Sequence, residues 1–376
     1  MPDTPAGPGG WGVLKVSAIH ASGYQPEENK AVNDMSLVSP RYLIHAGDLL
    51  FSRANTPDLV GSACIATESS ERLLLSDKSL RLVVNPAVAD ARFVCISLSS
   101  DWVRRQIVNS ASGSSLSMQN VSQDAIKNLM IRWPSLGEQR RICEVVEAFA
   151  DREQVISASI AKLDKLRDAV MSELGGLECG IFEGVLESGP QNGVYKPASS
   201  YGATGAPIVR IDSFKGGQSD LTRDLLRVEL GKGEIERYGL NVGDIIINRV
   251  NTPELVGKST AVRKLAEPTV FESNMMRCTL RADRADPTFV ETWLGSHPAK
   301  VHFRVRAKSA ISQASINASD VRSCPFPRLD VSGQLDFLRR LAAVRGQRQA
   351  EEAELSKLRE LRRGIVDDLL DCGVGV

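Results

Sequence analysis

Two stretches of this chain set an arginine and an asparagine two residues apart: Arg53 and Asn55 in SRANTPDLVG, and Arg249 and Asn251 in NRVNTPELVG. In an extended strand, residues two apart face the same side. An arginine can then pair bidentately with guanine, and an asparagine with adenine, in the major groove of duplex DNA. The same residues, with Thr56 and Thr252 after them, also suit a second role. Asparagine side chains tie down turns, here ahead of Pro57 and Pro253. Side chains that read two different sequences should differ, and these do not. They fit a shared frame as well as a reading element.

Reading candidates lie where the two copies diverge. The stretch SASGSSLSMQN at 110–120 stands opposite AKSAISQASIN at 307–317. It offers Ser114, Ser115, Gln119 and Asn120 in one copy and Gln313, Ser315 and Asn317 in the other. Small polar side chains of this kind suit groove edges and phosphates. A second divergent pair is Lys78 opposite Asn274. A third is the basic run Lys300, Arg304, Arg306 and Lys308, matched more thinly by Arg104 and Arg105. For each charge alone, a solvated helix face is an equally good account.

Catalytic patterns are missing. The chain has no GxGxxG or GxxxxGK[ST] phosphate loop and no GxSxG elbow. His20, His45, His297 and His302 lack metal-binding spacing. Adenine methyltransferases use an (Asn/Asp)-Pro-Pro-aromatic loop, and here the two Asn-Thr-Pro triplets lead into Asp58 and Glu254. The residues read as a chain that positions chemistry rather than performing it.

The doubled decapeptide belongs to a longer register. At a shift of 196, Gly47-Asp48 falls on Gly243-Asp244, Arg81 on Arg277, and Phe93-Val94 on Phe289-Val290. At a shift of 195, KLDKLRDAVMSEL from Lys162 meets KLRELRRGIVDDL from Lys357. A period of this size means two whole domains rather than a solenoid. GDLLFSRA and GDIIINRV read as buried strands entered from a Gly-Asp turn. RFVCISLSSDWVRRQIV and TFVETWLGSHPAKVHF read as one short helix per repeat. Residues 138–174 hold no Gly or Pro, and Ile142, Phe149, Ile156, Leu163 and Val170 recur every seven residues. Phe337, Val344, Leu358 and Ile365 repeat that seam, with Glu351 interrupting it. A sustained heptad seam calls for a partner helix, and each helix offers the other one. The expected parts are an α/β domain at 1–134, a helix at 135–178, a second α/β domain at 179–329 and a helix at 330–376.

A chain of 376 residues exceeds one ordinary core. Its net charge is zero, yet residues 179–329 hold 20 basic against 16 acidic side chains, while residues 1–134 hold 12 of each. A neutral total therefore leaves room for a local basic face. The seven cysteines are scattered with no CxxC pair, which argues against a disulfide framework or zinc site and for small buried apolar residues. No apolar run reaches the ~20 residues of a membrane span, and the first ten residues lack the features of a secretory signal. The expected compartment is the cytoplasm.

These features together resemble the specificity subunit of type I restriction-modification systems. The residues that carry the resemblance are the (S/N)R-x-NTP-(D/E)-LVG element, the loop SGSSLSMQNVS leading to IRWPSLGEQRRI, and the long helix ending KLRDAVMSEL, all then repeated. The junction PSLGEQRRI carries Pro134 and Gln139; its second copy, PFPRLDVSGQLDFL, keeps Gln334.

The resemblance implies an α+β fold in which two target-recognition domains are joined by two long helices in an antiparallel coiled coil, with pseudo-twofold symmetry. It implies that each domain reads half of a split double-stranded DNA target, with the coiled coil setting the spacer. It implies no catalysis and no cofactor in this chain. Two methyltransferase subunits using S-adenosylmethionine would be the partners, and restriction subunits using ATP and Mg can join them. One departure stands out: 12 residues precede Val13, whereas its counterpart Ile208 follows the long stretch GIFEGVLESGPQNGVYKPASSYGATGAP. The first domain is expected to lack an opening strand or two. Two other readings stay open, a scaffold that reads little sequence and a free-standing DNA-binding regulator.

Overall fold

A computed structural model describes residues 4–7, 9–20, 23–115, 118–214, 219–309 and 313–370. The chain divides into two compact units, residues 1–159 with 351–376, and residues 160–350.

In the first unit the strand Leu49–Ser52 is buried along its whole length. It is entered from a turn in which Gly47 takes a positive φ and the Asp48 carboxylate accepts the His45 N–H at 2.8 Å. It pairs antiparallel with Ser79–Leu82 on one side and Ala63–Ile65 on the other. A second sheet runs in the order Asn29–Ala31, Gly12–Leu14, Ser70–Leu74, Leu43–Ile44. Helices Ala91–Ser99 and Asp101–Ser110 pack Val94, Leu98, Val103 and Ile107 against Phe51 and Val60.

The second unit repeats this plan. Ile245–Asn248 is wholly buried and pairs with Met275–Leu280 and Ser259–Ala261. Burying an isoleucine completely contributes about 1.5–3 kcal/mol, as an upper estimate. A second sheet joins Tyr201–Gly202, Leu226–Val228, Ala206–Val209 and Val270–Phe271. Helices Pro287–Leu294 and His297–Arg306 match the first unit's pair. Around Phe326, the rings of Phe182 and Phe289 lie at 5.7 and 5.9 Å between centroids.

One difference follows the sequence departure. In the second unit Leu186–Asn192 adds a fourth strand alongside Met275–Leu280. Among the described residues of the first unit, Ser79–Leu82 has no strand in that place.

The expectation of one short helix per repeat needs correction, because each repeat holds two. Ser100 takes an extended conformation and its hydroxyl caps the next helix by accepting the Val103 N–H. Gly295 and Ser296 make the same break in the second unit. The buried apolar residues step by four within each helix and by five across each break, from Leu98 to Val103 and from Leu294 to Ala299.

The central helix is Leu136–Glu173 and the C-terminal helix Val331–Leu370. Within the first unit they run antiparallel: Ile142 and Val146 cluster with Val366 and Leu370, while Arg152 meets Glu354 at 2.7 Å. Within the second unit Val170 and Leu174 cluster with Phe337 and Leu341, and Asp164 meets Arg348 at 2.8 Å. Ile142, Ile156, Leu163, Val170, Phe337 and Val344 are buried, and Phe149, Leu358 and Ile365 are half-buried. The interrupting Glu351 accepts a hydrogen bond from the Ser159 hydroxyl at 3.0 Å.

Each long helix is fastened to its domain by one buried glutamine. Gln139 accepts the Asp90 N–H at 2.9 Å and donates to the Val88 and Pro134 carbonyls at 3.2 and 3.0 Å. Gln334 does the same with Asp286, Arg284 and Leu329, each at 2.9 Å.

Four of the cysteines, Cys64, Cys143, Cys278 and Cys324, are buried, and Cys95 is half-buried. Cys179 is exposed, contrary to the expectation, because it opens an edge strand; Cys372 lies outside the described residues. Burial pushes the Cys64 and Cys143 thiols up to about 11, and those of Cys95, Cys278 and Cys324 up to about 12. Alkylation needs the thiolate. Iodoacetamide at mildly alkaline pH is therefore expected to modify Cys179 first among these six in the native chain, the other five reacting only on unfolding. Peptide mass spectrometry reads the order, and equally fast labelling of Cys278 would contradict it.

Among the described residues, no helix is long and apolar enough to cross a membrane.

Candidate nucleic-acid interface

Three segments far apart in sequence meet at the same place in each unit. In the first, the Arg53 N–H donates to the Lys78 carbonyl at 3.0 Å, and the Arg53 carbonyl accepts the Val121 N–H at 2.8 Å. Strand Ala54–Asn55 then pairs antiparallel with Met118–Asn120, which pairs in turn with Ser112–Ser115. In the second unit, Arg249 donates to the Asn274 carbonyl at 2.8 Å and accepts from Ile316 at 3.0 Å. Strand Val250–Asn251 pairs with Ala314–Ser315, and that with Lys308–Ser309. The divergent loops thus form a hairpin laid onto the repeated Arg-x-Asn strand. The frame holds the hairpin through main-chain hydrogen bonds.

The turn that follows explains why ten residues are spelled twice. Asn55 is buried, and its side-chain oxygen accepts the Thr56 N–H at 2.9 Å. Asn251, half-buried, does the same for Thr252 at 2.9 Å. The Val60 and Val256 amides bond back to the Thr56 and Thr252 carbonyls. Gly61 at φ +78° and Gly257 at φ +81° close the turn, in a region where a side chain is strained. A Cβ on Gly61 would lie 2.5 Å from Ile107, and one on Gly257 2.4 Å from the Phe303 ring. The turn therefore seats the helix that leads into the hairpin. Local geometry favours the frame role for Asn55 and Asn251, while Thr56 and Thr252 are exposed.

The register of the three strands sorts the candidates by face. In the second unit Lys308, Ser315 and Val250 stand side by side, and so do Ser309, Ala314 and Asn251. Ala314 is buried, which makes its row the inner one and turns Lys308 and Ser315 outward. In the first unit the matching outer row is Ser112, Asn120 and Ala54. Asn120 is exposed and accepts from Arg53 Nε at 3.3 Å; Gln119 lies half-buried opposite Asn55. Arg249 Nη1 donates to the Ser273 carbonyl at 3.4 Å. Lys78, Arg105, Arg304, Arg306, Lys308 and Gln313 are exposed, and Asn274 is half-buried. The side chains of Ser114 and Ser115 lie outside the described residues.

Two candidates have other occupations. Arg104 donates to the Val60 and Asp58 carbonyls at 2.6 and 3.2 Å, and its burial weighs against the charged form. It clamps the turn rather than facing outward. Asn317 is a helix cap: its side chain accepts the Ser319 and Asp320 amides, and Asp320 returns a bond to the Asn317 N–H at 2.8 Å.

Among the described residues, no group of three or more His, Cys, Asp or Glu is placed to hold a metal. No protein-family model matches the chain. It is 30% identical over 139 residues to the EcoEI type I restriction enzyme specificity subunit of Escherichia coli, covering 37% of this chain and 23% of that one. To the EcoKI specificity subunit of E. coli K12 it is 23% identical over 271 residues, 66% of this chain and 57% of that one. The HsdS subunit of Thermoanaerobacter tengcongensis aligns over 98% of this chain and 92% of its own, with a TM-score of 0.56 and 17% identity. A chain solved in work on assembly and conformational transition of the type I R-M system aligns over 98% of this one, with a TM-score of 0.59 and 17% identity. The chain shares the fold of these solved type I specificity subunits. The aligned segments span less than two thirds of the length of these curated relatives.

Sequence reasoning passed over Ser112, which holds the same outer position as Lys308. The signal for it was available, since Ser112 falls on Lys308 at the 196-residue shift. It also passed over Gly61 and Gly257, the last letters of the doubled decapeptide.

Proposed function

We propose that this chain is the DNA-recognition subunit of a type I restriction-modification complex, each unit reading one half of a bipartite target. The carrying observation is the polar hairpin pinned to an identical frame in both units. The recognition domains are residues 1–134 and 179–329, and the helices at 135–178 and 330–376 set the spacer between half-sites. Two adenine methyltransferase subunits dock on this chain, and restriction subunits can join. S-adenosylmethionine, and ATP with Mg, belong to those partners; this chain performs no catalysis and acts in the cytoplasm. The missing catalytic patterns support this division of labour. So does the backbone-held hairpin, which leaves the side chains of its outer row free to vary.

The test is a map of adenine methylation across the source genome with the gene intact, deleted, or carrying residues 307–317 in place of 110–120. A split motif should vanish on deletion, and the hairpin exchange should change only one half of it. A motif indifferent to the gene would overturn the proposal. The scaffold reading draws on the balanced charge of residues 1–134, and it predicts no change in the motif on deletion, whereas a motif with only one defined half would mean that the first domain no longer reads.

A further inference from the structure

The two interfaces differ in charge at matched positions. The 196-residue register holds in space, because Gly61 abuts Ile107 as Gly257 abuts Phe303. In that register Lys300, Arg304, Arg306 and Lys308 fall on Arg104, Val108, Ser110 and Ser112. All four cations of the second unit are exposed, and among the described residues none forms a salt bridge. Lys300 and Arg304 lie one turn apart on the helix, and Lys308 continues onto the outer row of the hairpin sheet. Glu254 is the acid nearby, close enough to Arg304 for the cation to help keep its carboxyl ionised. In the first unit Arg104 is consumed by two carbonyls and the other three positions are neutral. The exposed cations there are Arg105 and Lys78, the latter next to Asp77.

We infer that the two recognition domains divide the work unequally: the second supplies the phosphate grip through Lys300, Arg304, Arg306 and Lys308, and the first contributes mainly uncharged base-edge contacts. This rests on the DNA-recognition reading above. Each phosphate neutralised by a cation releases counterions and adds to the salt dependence of binding, whereas neutral contacts do not.

The experiment uses the full chain, purified with the subunits that accompany it in its host, and a duplex carrying its methylated motif. Affinity is measured across a salt titration for wild type, K300Q/R304Q/R306Q/K308Q, and K78Q/R105Q. At about 0.9 per phosphate, the quadruple variant should lower the slope of log affinity against log salt by about 3 to 4, and the first-unit pair by less than about 1, well short of the roughly 1.8 that two phosphate contacts would give. The charge-keeping variant K300R/R304K/R306K/K308R should retain the wild-type slope, which separates lost charge from lost structure. Equal changes per cation in the two units, or an unchanged slope in the quadruple variant, would overturn the inference while leaving DNA recognition intact. A wild-type complex that binds the duplex no better than an unrelated one would instead sink the recognition reading.

Discussion

Gly257→Ala is expected to destabilise the second unit by about 2 to 5 kcal/mol, from two costs that add. Holding an alanine at φ +81° costs about 1–2 kcal/mol. Its Cβ would sit 2.4 Å from Cδ2 and 2.7 Å from Cγ of Phe303, a buried ring, and overpacking of this kind costs about 1–3 kcal/mol. Gly243→Ala is the control: at φ +98° it carries the backbone cost, with only Pro287 at 4.0 Å. Gly61→Ala should fall between the two, since its close neighbour is an isoleucine methyl rather than a ring. Thermal or denaturant unfolding reads the order. If Gly257→Ala proved no worse than Gly243→Ala, the close packing of turn on helix would not be what fixes this glycine.

The second large effect is expected at the helix junction. Gln334 is completely buried, and Leu in its place keeps the volume but strands one N–H and two carbonyls. A buried polar group left without a partner costs about 1–3 kcal/mol, so Gln334→Leu should cost at least about 3 kcal/mol. Gln139→Leu should do the same in the first unit. Hydrogen exchange localises the damage: in Gln334→Leu the Asp286 amide should lose protection while the Asp90 amide keeps it. Uniform loss of protection, or none, would mean the glutamines are not independent fasteners.

Much of this architecture was legible because the chain states it twice. The Gly-Asp turns and the buried strands after them recur at a shift of 196 and the heptad seam at 195, so each copy checks the other. What stayed hidden depended on neighbours distant in sequence. Arg104 looks like any helix-surface cation until Val60 and Asp58, brought across by the fold, present their carbonyls to it. Asn317 is a different case: an asparagine followed three residues later by an aspartate is a capping box in plain sight, and its polar loop setting drew attention away. Toward the end of the C-terminal helix the buried residues are Val366 and Leu370, while Ile365 is half-buried. An α-helix drifts by ~20° per heptad against a strict seven-residue repeat, so a seam extrapolated from sequence slides off the contact line.

The hairpin in each unit is attached to its frame through peptide groups, which every residue except proline possesses in full. Drift in the hairpin's outer row therefore leaves the attachment unchanged, and the frame's own letters can remain fixed through generations of such change. Under the DNA-recognition reading proposed above, recombination over a dozen codons suffices to exchange the half-target of one unit. The two copies within this one chain, alike in SRANTPDLVG and NRVNTPELVG and unlike in the hairpins beside them, have the pattern such a history leaves.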